Sequence, residues 1–150
     1  MAKPTILVIE DEEKQRRVVG LHLASADYEV KGAGTAEEGW KLAGDVDLIL
    51  TDLKLPGMDG LELLEKLKAQ NPNIKINAVE QDHRSKPFNT VFYEFPLAIV
   101  VGNESYGVTK EVLDISDMIV EMPMWGINIS LNVMVSCGII LYKIMEKSLP

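Results

Sequence analysis

Two sets of residues in this 150-residue sequence are of types that do chemistry. The first is acidic. Glu10 and Asp11 follow the apolar run Thr5-Ile6-Leu7-Val8-Ile9, and Asp52 follows Asp47-Leu48-Ile49-Leu50-Thr51. If these runs are neighbouring strands, three carboxylates meet at one end of a sheet. Such a cluster is costly unless it is protonated or neutralised, and Mg²⁺ is the usual oxygen-loving partner. An aspartate held there can accept a phosphoryl group. The plainer reading is a solvated loop rim. The second set is built on glycine. The run Pro96-Leu97-Ala98-Ile99-Val100-Val101 stops at Gly102-Asn103-Glu104, with Gly107 shortly after. Glycine at the carboxyl end of a buried parallel strand lets backbone approach a ligand. Met122-Pro123-Met124, Gly126 and Ser130-Leu131-Asn132-Val133 follow; the plainer reading of Gly102, Pro123 and Gly126 is that they are turn residues.

The elements that must position these residues alternate. Strands are expected at 5–9, 28–31 and 47–51. Helices are expected from Glu13 to Ala26, from Thr35 to about Ala43, and through Leu61, Leu64 and Leu67 to Asn71-Pro72. The first helix carries an imperfect apolar face of Val18, Val19, Leu21, Leu23 and Ala24. Thr35 and Glu38 have capping-box spacing. Strand and helix in alternation, with short connections, mean a parallel α/β sheet. In flavodoxin-like order the first and third strands adjoin, which places Glu10, Asp11 and Asp52 at the topological switch point.

The remaining strands are expected to end at Val79-Glu80-Gln81, to cover 97–101, and to cover 118–120. The 97–101 run lacks polar alternation and so reads as buried on both faces. Residues 82–94 are polar, irregular and too few for a crossover helix with its loops. Thr109 caps a short helix through Ile115. Residues 130–147 form a final helix that is apolar nearly all round, which predicts burial by more than one neighbour.

Composition narrows the function classes. The chain is 47% hydrophobic with a net charge of −8, and that charge weighs against general affinity for nucleic acid. Cys137 is the single cysteine, so no intrachain disulfide forms; it reads as a small buried hydrophobe, and a cytoplasmic setting is expected. No signal peptide is visible, and the apolar stretch 131–145 is too short to span a bilayer. The sequons at Asn103 and Asn128 are read as chance. His22 and His83 have no partner pattern and read as ordinary surface or packing residues.

Two resemblances follow. ILVIEDEEKQRR and DLILTDLKLPGMDGLELL resemble the receiver domain of two-component response regulators, as far as about Pro72. That resemblance implies Asp52 as phosphoacceptor and Glu10, Asp11 and Asp52 as Mg²⁺ ligands. It also implies a Thr or Ser after the fourth strand and a Lys after the fifth. No hydroxyl follows Val79 directly, and Lys86-Pro87-Phe88 precedes the fifth strand, so that triplet reads as coincidence. FPLAIVVGNESYGV, IVEMPMWG and SLNVMVSCGIILY resemble the two C-terminal motifs of the SpoU/TrmH branch of the SPOUT RNA methyltransferases, over about 75–147. That resemblance implies S-adenosylmethionine against Gly102, Asn103, Glu104, Ile119, Met122, Met124, Gly126, Leu131 and Asn132. It implies a trefoil knot and a homodimer through the last helix.

The family's first motif, an Asn and a catalytic Arg, would lie where receiver sequence stands. Arg16 and Arg17 lack its context, and the RNA-recognition extension is absent. No catalytic residue is therefore assigned, and RNA binding is not expected. Together the resemblances read as an engineered chimera forming one hybrid α/β domain over 1–150. A flavodoxin-like three-layer half, 1–72, meets a SPOUT-like half, 73–150, at the turn-rich joint Gln70-Asn71-Pro72-Asn73. Three functions follow in order: a cofactor-binding module without methyl transfer, an Mg²⁺-dependent phosphoacceptor, and an active RNA methyltransferase.

Overall fold

The computed structural model describes residues 3–102, 106–123 and 133–147. Short apolar runs form the centre of the molecule because they can be covered on both faces. β1 (Thr5–Ile9), β3 (Leu48–Asp52) and β6 (Leu97–Val101) are such runs, and β4 (Lys75–Val79), interrupted by Asn77, joins them; every residue of β6 is buried. β2 (Glu29–Ala33) lies beside β1, and β7 (Met118–Glu121) beside β4. A two-residue strand, β5 (Lys86–Pro87), closes the far edge against β7. All pairings are parallel, in the order β2-β1-β3-β6-β4-β7-β5.

The order holds one surprise. β6, not β4, pairs with β3, in register from Leu48 opposite Leu97 to Asp52 opposite Val101. β6 thus sits between β3 and β4, and the ladder runs unbroken across the 70–73 joint.

Five helices cover the sheet: α1 (Glu13–Ser25), α2 (Ala36–Leu42), α3 (Gly60–Gln70), α4 (Lys110–Ile115) and α5 (Val133–Lys147). A 3₁₀ turn at Ala43–Asp45 follows α2. Their starts are set by local chemistry. Thr35 Oγ1 accepts from the Glu38 N–H at 3.2 Å, as capping-box spacing predicts, while Glu38 reaches back to the N–H of Gly34. Asp59 and Thr109 cap α3 and α4 in the same way. On one face α2, α3 and α4 bury Ala36, Leu63, Leu64, Leu67 and Val112 against Leu7, Ile49, Ile76 and Val100. On the other, Leu23 of α1 and Cys137, Ile140, Leu141 and Ile144 of α5 share a core with Ile6, Val8, Leu48, Leu50, Leu97 and Ile99.

Several expectations need correction. β2 lies two residues later than the 28–31 run at its far end. Val18 and Leu21 of α1 are 45% and 60% exposed; only Leu23 is buried, because α1 lies mainly over the edge strand β2 and its neighbour β1 and one flank faces water. α5 is one-sided rather than buried all round, with Ile139 and Tyr142 exposed. Residues 82–94 contain β5, with Pro87 on an edge where a missing donor costs least. The same segment buries Val91 and Tyr93, and the Tyr93 hydroxyl donates to the Phe88 carbonyl at 2.7 Å. The knot that the resemblance implies lies in the second half of the chain, where residues 103–105 and 124–132 lie outside the described residues. No helix among the described residues is long and apolar enough to cross a membrane.

Candidate functional site

Adjacency of β1 and β3 brings Glu10 and Asp52 to the same end of the sheet. Glu10 stands just past β1, fixed by its N–H to the Ala33 carbonyl at 3.0 Å, and its carboxylate accepts from the Glu12 N–H at 3.1 Å. Asp52 accepts from the Lys54 N–H at 3.2 Å, while the Leu53 N–H ties the end of β3 to the Val101 carbonyl of β6. Asp11, the third acid, is exposed. Arg16 does not face a substrate: its Nη1 donates to the Glu10 carbonyl at 2.7 Å, and its chain lies against Gly32 and Gly34.

The acids are poorly compensated. Burial pushes Glu10 up to about 7; the Glu12 N–H opposes this, and Asp11 and Asp52 add to it. Asp52 is raised from its ordinary value mainly by burial, with the charge of Asp11 reinforcing the shift against the Lys54 and Leu53 N–H groups. A cavity of about 20 Å³ lies between them, lined by Val8, Gln15, Val19 and, from α5, Cys137. That is room for about one water molecule. Burial pushes the Cys137 thiol up to about 12, with Asp52 and Glu10 adding their charge, so it stays protonated and is no nucleophile. Nothing local in the sequence signals that Cys137 meets Asp52, 85 residues earlier.

Oxygen donors with excess negative charge suit Mg²⁺. Among the described residues, however, no group of three or more His, Cys, Asp or Glu is gathered to hold a metal ion. Glu10 and Asp52 are in place, and Asp11, though exposed, reaches the Glu10 carboxyl with its side chain. Beside β3 the next strand ends are Gly102, after β6, and Glu80, after β4. Lys86 is on β5, with β6, β4 and β7 between it and β3, so it does not serve as a receiver-type lysine.

Glu10 makes stability depend on pH. Its folded value near 7 lies above the ordinary 4.5, so the folded state holds a proton that the unfolded chain gives up. Stability therefore falls as pH rises through the window between those values. Discounted for partial exposure, the loss is about 2 kcal/mol between pH 5 and pH 8. Urea unfolding at both pH values will show it, and Glu10→Gln will flatten it.

The second set lies at the ends of β6 and β7, on either side of β4. Glu80 organises it: its Oε2 accepts from the Val108 N–H at 2.8 Å and its Oε1 from the Gln81 N–H at 2.8 Å. Gly107 takes a φ of +65°, and a Cβ there would run into the Glu80 carboxylate. A Cβ on Gly102 would overlap the backbone of Gly107. Both glycines are thus demanded by the loop's own packing. Ile119 is buried in the core, so only its backbone is available to a ligand, and Met122 is half-buried. Asn103, Glu104, Met124, Gly126, Leu131 and Asn132 lie outside the described residues. Glu80 was not singled out from the sequence. Its signal was present: a carboxylate at a strand end, facing a loop with two glycines. Nearby, Arg84 bridges Asp82 at 2.9 Å and Asp114 at 2.8 Å, and that pairing holds Asp82 down to about 2. Its charge is already matched within the protein.

Relatives carry both patterns. A cyclic di-GMP phosphodiesterase of Thermotoga maritima is 36% identical over 75 residues, which are 50% of this chain and 20% of that protein. A tRNA (guanosine(18)-2'-O)-methyltransferase of Aquifex aeolicus is 42% identical over 77 residues, 51% of this chain and 36% of that protein. The chain thus spans about a fifth and about a third of the length of these curated relatives. Among solved structures, the non-phosphorylated HemR receiver domain from Leptospira biflexa superposes with a TM-score of 0.62 at 19% identity, over 99% of this chain and 98% of that one. That likeness establishes a flavodoxin-like receiver fold for the sheet and its helices. Residues 6–92 match the response regulator receiver domain and residues 54–142 match the SpoU rRNA methylase family, each more than half of the chain, so the protein belongs to both families, which overlap over α3, β4 and β5.

Proposed function

We propose that the chain is an engineered chimera that binds S-adenosylmethionine at the ends of β6 and β7 without transferring its methyl group. One observation carries this reading. The SpoU match spans β4, β6 and β7, neighbouring strands that carry Ile119 within β7 and are followed by Gly102 and Met122. The cofactor, when bound, would supply an activated methyl group. This chain's part is binding: loop backbone for the adenine and its ribose, and the apolar core beneath. Methyl transfer lacks its residues. Receiver sequence occupies the place of the family's Asn and Arg, and Arg16 is committed to the Glu10 carbonyl. The net charge of −8 disfavours RNA. A trefoil knot in the second half of the chain, a cytoplasmic setting and a homodimer through the exposed Ile139 and Tyr142 of α5 belong to the same reading. Calorimetric titration with S-adenosylmethionine and its homocysteine product tests it. Saturable binding of both, with no label transferred to bulk tRNA, is expected; no heat at millimolar ligand ends it.

A second reading, an Mg²⁺-dependent phosphoacceptor, is favoured by the undercompensated carboxylates of Glu10 and Asp52. A small acyl phosphate with Mg²⁺ would then add one phosphoryl group per chain, and Asp52→Asn would abolish the addition. An unchanged mass, or labelling that survives Asp52→Asn, rejects it.

A further inference from the structure

At the opposite end of the sheet from both candidate sites lies a cleft of about 680 Å³. That is within the range of small-molecule sites. It opens where β3, β4 and β6 begin. Ala43 and Val46 on one side of the 70–73 joint, and Phe95 and Pro96 on the other, give it a half-buried apolar lining. Segments from either side of the joint are needed to build it.

The rim has one sign of charge. Asp45 and Asp47 line it, and no Lys, Arg or His does. Asp47 Oδ2 accepts from the Thr5 N–H at 2.8 Å, and neither acid is in an ion pair among the described residues. An anion would meet uncompensated repulsion here. A bare metal ion would meet hydrocarbon on one side.

We infer that this cleft binds a small organic cation with a flat apolar body, such as an aromatic amine, its rings against Ala43, Val46, Phe95 and Pro96 and its ammonium group at Asp45 and Asp47. Apolar contact supplies most of the affinity, and the two carboxylates supply the choice of sign.

The test uses two probes with one ring system and opposite charge, 1-naphthylmethylammonium and 1-naphthalenesulfonate, titrated into the full chain and followed by amide NMR shifts. The ammonium should bind saturably and about tenfold more tightly than the sulfonate. Its shifts should fall at Gly44, Asn71 and Leu97 and spare Gly102. Asp45→Asn, a change at an exposed side chain, should cut the preference about threefold. Gly44→Trp should block binding while leaving the circular dichroism intact, because a Cβ on Gly44 meets nothing within 4 Å. Equal affinity for the two probes, shifts centred elsewhere, or undiminished binding by a folded Gly44→Trp chain would overturn the inference. Should the tryptophan variant not fold, Asp45→Asn decides alone: an unchanged preference rejects the site.

Discussion

Ile140→Ala will lower the stability of the whole chain by about 4 kcal/mol, and unfolding will remain one transition at the lower midpoint. Ile140 has no exposed surface, and it shares a core with Ile6, Val8, Leu48 and Leu50 from β1 and β3 and with Leu97 and Ile99 from β6. Removing buried methyl groups from such a site loses their transfer free energy and leaves a cavity. The size of the effect follows from how little else covers that face. α1 buries only Leu23, while Val18 and Leu21 point to water. The crossover before β6 adds Val91 and Tyr93. α5 is therefore the main cover over strands that match the receiver family, although α5 itself falls in the SpoU match. Denaturant unfolding followed by far-ultraviolet circular dichroism, and by Trp40 fluorescence in a Trp125→Phe background, will give coincident curves. At about 3 °C per kcal/mol for a chain of this size, the melting temperature will drop by about 12 °C. Two separated transitions, or a loss under about 1 kcal/mol, would falsify the shared core.

Much of this was legible because local chemistry acts locally. Thr5–Ile9 and Leu97–Val101 have no polar alternation, and both became strands covered on two faces. Thr35 and Thr109 marked helix starts through the hydroxyls that cap them. Glu10 and Asp52 could be paired in advance, since each closes an apolar run and β1 and β3 adjoin in any flavodoxin-like order. What escaped depends on contacts between distant segments. No local pattern says that β6 inserts between β3 and β4, and this insertion sets which loop ends lie nearest Asp52. The approach of Cys137 to the carboxylates follows from how α5 docks. Asn77 would read as a polar position on a strand, yet it lies at the centre of β4 with its amide nitrogen and oxygen both buried and without partners among the described residues. A central strand has no solvent face to give it. The cleft at the 70–73 joint is likewise space left between packed elements, and sequence encodes residues, not gaps.

Gly102→Ala will cost about 3 kcal/mol in the ligand-free protein. The added methyl group would overlap the carbonyl carbon and oxygen of Gly107 and lie 2.5 Å from the Val108 nitrogen. These are backbone atoms, and they cannot swing aside as a flexible side chain would. Nor can the loop give way cheaply. The Val108 N–H is held by the Glu80 carboxylate, which closes over Gly107 at positive φ, and Val108 itself is buried. To admit the methyl group, the chain must break that charge-assisted hydrogen bond or lift Val108 out of the core. A glycine kept only for close approach of a cofactor predicts something different: unchanged stability without ligand and weaker binding with it. The two origins separate in a single pair of measurements, urea unfolding without ligand and titration with S-adenosylmethionine. Loss of stability without ligand, matched by Glu80→Gln at about half the size, assigns Gly102 to the loop's own packing; unaltered unfolding with impaired titration assigns it to the cofactor.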